Sequence, residues 1–357
     1  MTEGQFDSDA TRAIVAAPQG ASAPTGPRVA VLGSGEGAAE LVRALSNLGA
    51  QVAVAADPAA LPELFGGLPA DVVVPSVRAL ELTSDVKQIR RRAAEELGLP
   101  TAPYWFAESV AELRAAAGRA GYPLLVKAGG RGVLVSAPDG PQGVDAAWQR
   151  VAGPAGGWLM AETVVAVDTL VTMIAVVGDG PRGIAIDFCA PIGHRLNADG
   201  SQEAWQPLKL SAAALDVGKS IVARIVKAIG ERGVFAVELL VNGDEVYFAD
   251  ITVALPESTW VTVRTQRLSA FELQARVALG LTADTMMVSP GAALVVSAPP
   301  PTARLAAVLE VPETDIRTFA GGGRRTGVIL ATGLDVDTSR EQIREVVRRR
   351  GMPDSAT

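Results

Sequence analysis

The clearest alternation of apolar and polar positions in the chain runs from Val234 to Asp250, in the sequence VFAVELLVNGDEVYFAD. A period of two is typical of β-strands, and Asn242-Gly243 between two such runs is typical of a hairpin turn. Glu238 lies in the middle of the first predicted strand and Asp250 lies at the end of the second. Such positions can be close neighbours on one face of an antiparallel hairpin. The pattern therefore predicts two neighbouring carboxylates on one β-hairpin.

The apolar pattern at the start of the chain predicts a βαβ unit with a glycine-rich first turn. A strand at Arg28–Leu32 enters the turn Gly33-Ser34-Gly35-Glu36-Gly37, which is followed by a helix and by a second strand at 51–55. Ala38 stands where the dinucleotide-binding fingerprint has its third glycine. We therefore interpret the turn as tight strand-to-helix packing.

The rest of the chain also alternates between strand-like and helix-like patterns, which predicts an α/β protein. The segment 85–97 carries several arginines and glutamates and is expected to be a mostly solvated helix, and 196–206 is expected to be a polar loop. Further strands are predicted at 71–75, 123–127, 133–136, 158–162, 168–177, 183–187, 292–297 and 326–331. Further helices are predicted at 108–120, 143–151, 211–230, 268–281 and 339–350.

The composition of the chain argues against several classes of protein. The 357 residues are enough for two or three domains, and the net charge of -7 argues against nonspecific nucleic-acid binding. No apolar run approaches the roughly 20 residues that span a bilayer, so we expect no membrane partner and a cytoplasmic location. A single cysteine, Cys189, excludes an internal disulfide, and we expect both Cys189 and the single histidine, His194, to be structural. Residues 1–27 are predicted to be a disordered tail.

Lysine is rare, which draws attention to Lys127. It is the one lysine, among five, that follows a core-like strand and precedes a glycine-rich turn, Ala128–Gly132. Lysine can contact phosphate oxygens, and glycines let backbone N–H groups approach them. Glu162 ends the next apolar strand. The order of Lys127, Glu162 and the two hairpin carboxylates along the chain suits an ATP–Mg²⁺ site. The sequence has no GxxxxGK[ST] motif, so such a site would not be a P-loop. The alternative is that Glu238 pairs with an arginine and Asp250 caps its strand.

Seven segments give the chain a resemblance to a known family. The chain resembles the ATP-grasp, formate-dependent glycinamide ribonucleotide formyltransferases of purine biosynthesis from about Arg28 to the C-terminal strand. FCAPIGHR followed by EAWQP is the most specific part of this resemblance. The segments are VLGSGE (31–36), RAAEELGLPTA (92–102), GYPLLVK (121–127), FCAPIGHR (188–195), EAWQP (203–207), GVFAVELLVNGDEVYF (233–248) and GGRRTGVILATG (322–333).

The resemblance implies a fold and a reaction. The fold is an ATP-grasp domain at 83–290 with a linker helix, preceded by a truncated Rossmann-like domain at 28–82 and followed by a small C-terminal domain at 291–357. The implied reaction uses ATP and Mg²⁺ to convert formate to formyl phosphate, and then transfers the formyl group to the amine of glycinamide ribonucleotide. A homodimer is also implied.

The resemblance also assigns roles to residues at matching positions. Lys127 would bind ATP phosphates within a loop that includes Gly130 and Gly132, and Glu162 and Val165 would meet the nucleoside. The metal ligands would be Glu238 and Asp250. The substrate residues would be Glu36, Glu257, Arg324 and Arg325, with Lys127 and Arg325 acting in catalysis.

Several positions depart from the family pattern, and each departure that removes a positioned charge is expected to cost roughly 1 to 4 kcal/mol of transition-state stabilisation. We therefore expect weak or no formylation of glycinamide ribonucleotide even where ATP binds. Two alternatives stay open: a degenerate, non-catalytic paralogue acting as a nucleotide-binding or partner subunit, and an ATP-grasp ligase with another acceptor. The departures are the shortened loop with Arg131, Asp250 in place of Glu, the run Thr252–Glu257 in place of SPRPHD, Val86 in place of Arg, Leu170 in place of Glu, an absent segment after Pro75 and an absent Lys before Arg324.

Overall fold

The computed structural model of the chain describes residues 26–128, 131–152, 157–180, 183–319 and 326–351, without the side chains of Arg131 and Pro138. The predicted tail up to residue 25 lies outside the described residues. So do three predicted site residues, Gly130, Arg324 and Arg325.

The N-terminal unit is a small parallel sheet with one helix. Its described strands are in the order β2-β1-β3, and Val29 to Leu32 are buried at its centre. Gly35 has a φ of 78°, a conformation that other residues rarely adopt, and the helix begins at the next residue. The tight strand-to-helix turn therefore requires glycine at this position. The elements are β1 (Arg28–Leu32), α1 (Glu36–Asn47), β2 (Gln51–Ala55) and β3 (Val72–Val74).

The next part of the chain builds an antiparallel sheet in the order β4-β7-β5-β6 among the described strands. Two helices cover one of its faces and bury Leu113, Leu124 and Val144. The Ser109 hydroxyl accepts the Glu112 N–H and caps the first of these helices. The elements are α2 (Val77–Ser84), α3 (Val86–Arg91), β4 (Tyr104–Ala107), α4 (Val110–Ala120), β5 (Leu124–Ala128), β6 (Arg131–Val135), α5 (Gly140–Ala152) and β7 (Leu159–Thr163).

The remaining described strands form one large sheet in the order β13-β12-β8-β10-β11-β14-β16-β15, with β9 paired to β8 beside this path. The elements are β8 (Thr169–Gly180), β9 (Gly183–Phe188), β10 (Ile192–Leu196), β11 (Gln202–Gln206), α6 (Ala212–Ile229), β12 (Gly233–Asn242), β13 (Glu245–Thr252), α7 (Thr262–Thr265), α8 (Ala270–Ala278), β14 (Gly291–Val296), α9 (Leu305–Leu309), β15 (Thr314–Thr318), β16 (Gly327–Thr332) and α10 (Val336–Gly351).

The alternation along β12 explains how the large sheet is packed. Phe235, Val237 and Leu239 lie in the core under α6, whereas Val234 lies in the opposite core with Phe271 of α8. Side chains alternate between the two faces along a strand, and Glu238 is four residues after Val234. Glu238 therefore lies on the same face as Val234, the face covered by α8. The predicted hairpin is confirmed, since β12 and β13 pair through a turn in which Gly243 has a φ of 58°.

Two expectations about individual elements were wrong. The segment 85–97 is not a mostly solvated helix, because Ile89, Arg90 and Ala93 are buried and α3 gives way to a wider π-helical turn at Arg92–Glu96. The segment 196–206 is not a polar loop, since β10 ends at Leu196 and β11 occupies Gln202–Gln206. In both segments some of the buried positions are occupied by charged or amide side chains that bind polar partners. The periodic pattern of apolar residues that predicts buried helices and strands is therefore interrupted.

The sheet continues across residue 290, where a domain boundary was predicted. β14 pairs with β11, and β16 and β15 extend the sheet beyond it. None of the helices in the described part of the chain is long and apolar enough to cross a membrane.

Candidate functional site

Lys127 and Glu162 lie side by side on the four-stranded sheet. β5 and β7 are antiparallel, and Glu162 is opposite Leu125, two residues from Lys127. This register puts both side chains on one face. The Lys127 Nζ is 2.6 Å from the Glu162 Oε2, and the exposed fractions of the two side chains are 32% and 6%. A buried carboxylate and a more accessible ammonium therefore form the first part of the site.

Arg90 connects this ion pair to the large sheet. Its guanidinium is 1% exposed and donates from Nη2 to the other oxygen of Glu162. Its Nη1 donates to the carbonyl oxygens of Phe248 (3.1 Å) and Ala249 (2.9 Å) on β13. Since Ala249 precedes Asp250, one buried arginine links Glu162 to the backbone beside a predicted metal ligand.

Sequence reasoning missed Arg90, although a signal was present. Arg90, Ala93 and Leu97 have the i, i+3, i+7 spacing of one helix face. Ala93 is fully buried, and Leu97 packs against the core under α6. An arginine aligned with such a stripe is a candidate for a buried ion pair.

The hairpin carboxylates are neighbours across β12 and β13. Glu238 is directly opposite Asp250, and the register shifts immediately after this pair, between Glu238 and Leu239. Asp250 keeps contact with solvent but is crowded by protein atoms. This desolvation raises the pKa of Asp250 and outweighs the opposing effects of the Ile251 N–H, Lys127 and Arg90, while Glu238 adds to the rise. Burial therefore disfavours the ionised form of the Asp250 carboxyl.

Both oxygens of Glu238 have hydrogen-bond partners on neighbouring strands. The Thr172 hydroxyl of β8 donates to Oε1 at 2.7 Å, and the His194 Nε2 of β10 lies 2.6 Å from Oε2. The Ser258 and Thr172 hydroxyls are 2.7 Å apart. The expectation that His194 is merely structural around a strand end thus missed its contact with a predicted metal ligand.

The donor set suits a hard divalent cation that also binds phosphate. Carboxylate oxygens are the ligands that Mg²⁺ prefers, and it commonly takes one or two of them together with substrate phosphates. Among the described residues, no cluster of three or more His, Cys, Asp or Glu side chains could hold a metal. The two carboxylates of the hairpin are consistent with a metal site that a nucleotide completes.

The other predicted nucleotide residues flank Lys127 and Glu162. Gly132 on β6 is opposite Lys127, and its lack of a side chain leaves that position open. Val165 lies in the segment 164–168, which joins β7 to β8 and hence the small sheet to the large one. A ligand at this junction would contact both sheets.

Glu36 lies in an open cleft of about 430 Å³ between α1 and the C-terminal strands. Glu40 forms ion pairs here with Arg317 (2.7 Å) and with Arg43. The cleft also includes Phe319, the last described residue before 320–325. Arg324 and Arg325 follow Phe319 in the chain but lie outside the described residues.

Glu257 begins a short 3-10 helix, Glu257–Val261, and is partly buried. The next residue is Ser258, whose hydroxyl belongs to the Glu238 network. Cys189 is 3% exposed, and burial raises the pKa of its thiol to about 12, which agrees with the expected structural role.

Comparisons with known proteins identify the class and then the family. The model of the ATP-grasp domain matches residues 92–271, so the chain is an enzyme of the ATP-grasp superfamily. A formate-dependent phosphoribosylglycinamide formyltransferase from Rhodococcus jostii is 41% identical over 297 residues, covering 78% of this chain and 73% of the relative. One from Corynebacterium efficiens is 41% identical over 290 residues, covering 76% and 71%. The chain belongs to the formate-dependent phosphoribosylglycinamide formyltransferase family.

Solved structures agree with this assignment. The structure of glycinamide-RNase-transformylase T from Mycobacterium tuberculosis is 44% identical, with a TM-score of 0.74 over 90% of this chain and 99% of that one. A carboxyaminoimidazole ribonucleotide synthase from Aspergillus clavatus, complexed with ATP, has a TM-score of 0.76 over 91% of this chain and 98% of that one. At 20% identity it shows the fold alone. The predicted family and the predicted ATP-grasp fold are confirmed.

Proposed function

We propose that the protein catalyses ATP-dependent transfer of formate to an amine, with glycinamide ribonucleotide as the acceptor. A formate oxygen attacks the γ-phosphorus of ATP, which gives formyl phosphate and releases ADP. The acceptor nitrogen then attacks the formyl carbon, phosphate leaves, and the nitrogen loses a proton. The observation that carries this proposal is the run of contacts from Lys127 through Glu162 and Arg90 to the backbone carbonyl of Ala249, the residue before Asp250, which lies opposite Glu238 on the hairpin.

Lys127 is proposed to bind ATP phosphates, with Gly130 and Gly132 letting backbone N–H groups approach them. Its ammonium is the accessible partner of the Glu162 ion pair, so it can turn toward a phosphate while Arg90 still neutralises Glu162. Glu162 and Val165 lie beside the strand junction where the nucleoside would be bound. Positioning and charge neutralisation are the main contributions of proteins to phosphoryl transfer.

Glu238 and Asp250 are proposed to hold Mg²⁺. The ion would neutralise charge on the phosphate oxygens. The protein holds the two carboxylates opposite each other on adjacent strands, and His194 and Thr172 restrain one of them.

The acceptor is proposed to bind at the open cleft that contains Glu36. This cleft lies where the N-terminal unit meets the C-terminal strands, and its lining includes Phe319, which precedes Arg324 and Arg325 in the chain. Arg324 and Arg325 are proposed to bind the acceptor phosphate, since arginine forks suit phosphate geometry, and Arg325 also to act in catalysis. Glu257 is proposed to be a substrate residue. A homodimer is proposed from the family resemblance, and a cytoplasmic location from the composition of the chain.

The test is a formylation assay. The protein is incubated with ATP, Mg²⁺, formate and glycinamide ribonucleotide, and the formylated product and ADP are measured, with reactions lacking formate or the acceptor as controls. The proposal predicts product that depends on all four components.

Two other outcomes separate the alternatives, and the turnover rate tests whether the sequence departures weaken formylation. ATP binding without product from any amine indicates a nucleotide-binding paralogue. ADP formation that needs formate but not glycinamide ribonucleotide indicates another acceptor. Turnover in the ordinary enzyme range of about 1 to 10³ per second would contradict the expectation that the sequence departures weaken formylation.

A further inference from the structure

The single histidine of the chain contacts a proposed metal ligand. His194 lies on β10, and its Nε2 is 2.6 Å from the Glu238 Oε2. An ionised carboxylate has no proton to donate, so the hydrogen bond requires the proton on Nε2. The side chains of His194 and Glu238 are 11% and 24% exposed, which places the contact at the edge of the site.

The large sheet holds Glu238 from two directions. β12 lies beside β8, where Thr172 is directly opposite Glu238, and β10 lies on the other side of β8. The Thr172 hydroxyl bonds one carboxylate oxygen, and the His194 ring bonds the other. Each oxygen accepts one protein hydrogen bond and retains a second lone-pair direction for a cation.

We propose that His194 is a positioning residue that holds Glu238 in the orientation needed to ligate a divalent cation. This inference rests on the proposed function, in which Glu238 and Asp250 bind Mg²⁺. Residues that orient metal ligands typically change metal affinity by about 10- to 100-fold when they are replaced. His194 is therefore expected to control the affinity for Mg²⁺ in the nucleotide complex without touching the substrates.

The single histidine gives a direct spectroscopic test on the wild-type protein. With ¹⁵N-labelled histidine, the spectrum contains one imidazole. Mg²⁺ is added in steps to the protein saturated with adenylyl imidodiphosphate, a non-hydrolysable ATP analogue. The proposal predicts an Nε2–H signal that changes with Mg²⁺ until the site is saturated, and no such change in Glu238→Gln. An imidazole signal that does not respond to Mg²⁺ would overturn the inference.

Substitutions add a second readout. It is the Mg²⁺ concentration at which Mg²⁺-dependent nucleotide binding, measured by calorimetry, reaches half of its maximum. His194→Ala is expected to raise this concentration by about 10-fold or more, and His194→Gln, whose amide places an N–H near the same point, to restore most of the affinity. Asn197→Ala serves as the control, because the Asn197 amide bonds Ser201 within the same β10–β11 hairpin at 3.0 Å and is not expected to change the affinity.

The outcomes distinguish this inference from the proposed function. Equal Mg²⁺ affinity in wild type, His194→Ala and Asn197→Ala would overturn the positioning role and leave the proposed function intact. Equal losses in His194→Ala and Asn197→Ala would show that any damage to the hairpin weakens the site, which also overturns a specific role for His194. A wild-type protein that binds no Mg²⁺–nucleotide would overturn the proposed function and this inference together.

Discussion

At the residue scale, the central feature is that Glu162 shares its charge between two cations of different accessibility. Arg90 is buried and also holds two backbone carbonyls of β13, whereas Lys127 is one-third exposed and has no such anchor among the described contacts. A ligand phosphate could therefore recruit Lys127 without leaving the buried carboxylate unpaired.

The first prediction concerns Lys127. Lys127→Ala is expected to weaken ATP binding by about 10- to 100-fold, because a hydrogen bond to a charged group contributes roughly 1.5 to 3 kcal/mol. Lys209→Ala is the matched control, since Lys209 is exposed near Asp335, away from the site. Calorimetric titration of both variants with ATP measures the difference. Equal affinities in the two variants would contradict the assignment of Lys127.

The second prediction concerns Arg90. Arg90→Met is expected to lower the free energy of unfolding by about 3 kcal/mol, because a buried Glu162 would keep only Lys127 as its partner. Arg114→Met is the control, since Arg114 makes two hydrogen bonds to Asp145 in an exposed position and should leave the stability nearly unchanged. Urea denaturation of both variants measures the two free energies of unfolding. A small effect of Arg90→Met would show that the buried Arg90 guanidinium contributes little to stability.

At the element scale, β10 and β11 show why part of the fold was hidden in the sequence. Glu203 is buried on β11, where it accepts hydrogen bonds from Arg340 of α10 and lies 2.6 Å from Arg195. Gln206 is also buried and donates to the Ala190 carbonyl. These residues look solvent-exposed in sequence, because their partners are distant in the chain. Clear alternation did predict β12 and β13, because buried apolar side chains such as Val237 and Phe248 recur along both strands.

The third prediction tests how α10 is attached to this hairpin. Arg340→Met is expected to cost roughly 1.5 to 3 kcal/mol of stability and to speed hydrogen exchange in α10, since Glu203 would keep only the more exposed Arg195. Arg344→Met is the control one turn later, because Arg344 is half exposed and pairs with Glu341 within the helix. Indistinguishable exchange rates in the two variants would contradict an anchoring role for Arg340.

At the scale of the whole molecule, the site depends on two sheets that only tertiary structure brings together. The sequence predicted Lys127, Glu162, Glu238 and Asp250 as candidates from strand ends and from alternation. It could not predict that Arg90 would pair with Glu162 or that His194 would face Glu238, because these contacts span 72 and 44 residues. The ATP-grasp fold itself could be predicted, since several motifs lie at matching positions along the chain.

The most direct test of the account is calorimetric binding of ATP to the intact chain, with and without Mg²⁺ and formate. The protein is compared with the double variant Glu238→Gln/Asp250→Asn, in which both carboxylates become neutral amides of similar shape. The account predicts that Mg²⁺ strengthens ATP binding to the wild type and has little effect on the double variant. Equal ATP affinity with and without Mg²⁺ in the wild type, or an undiminished effect of Mg²⁺ on the double variant, would contradict it.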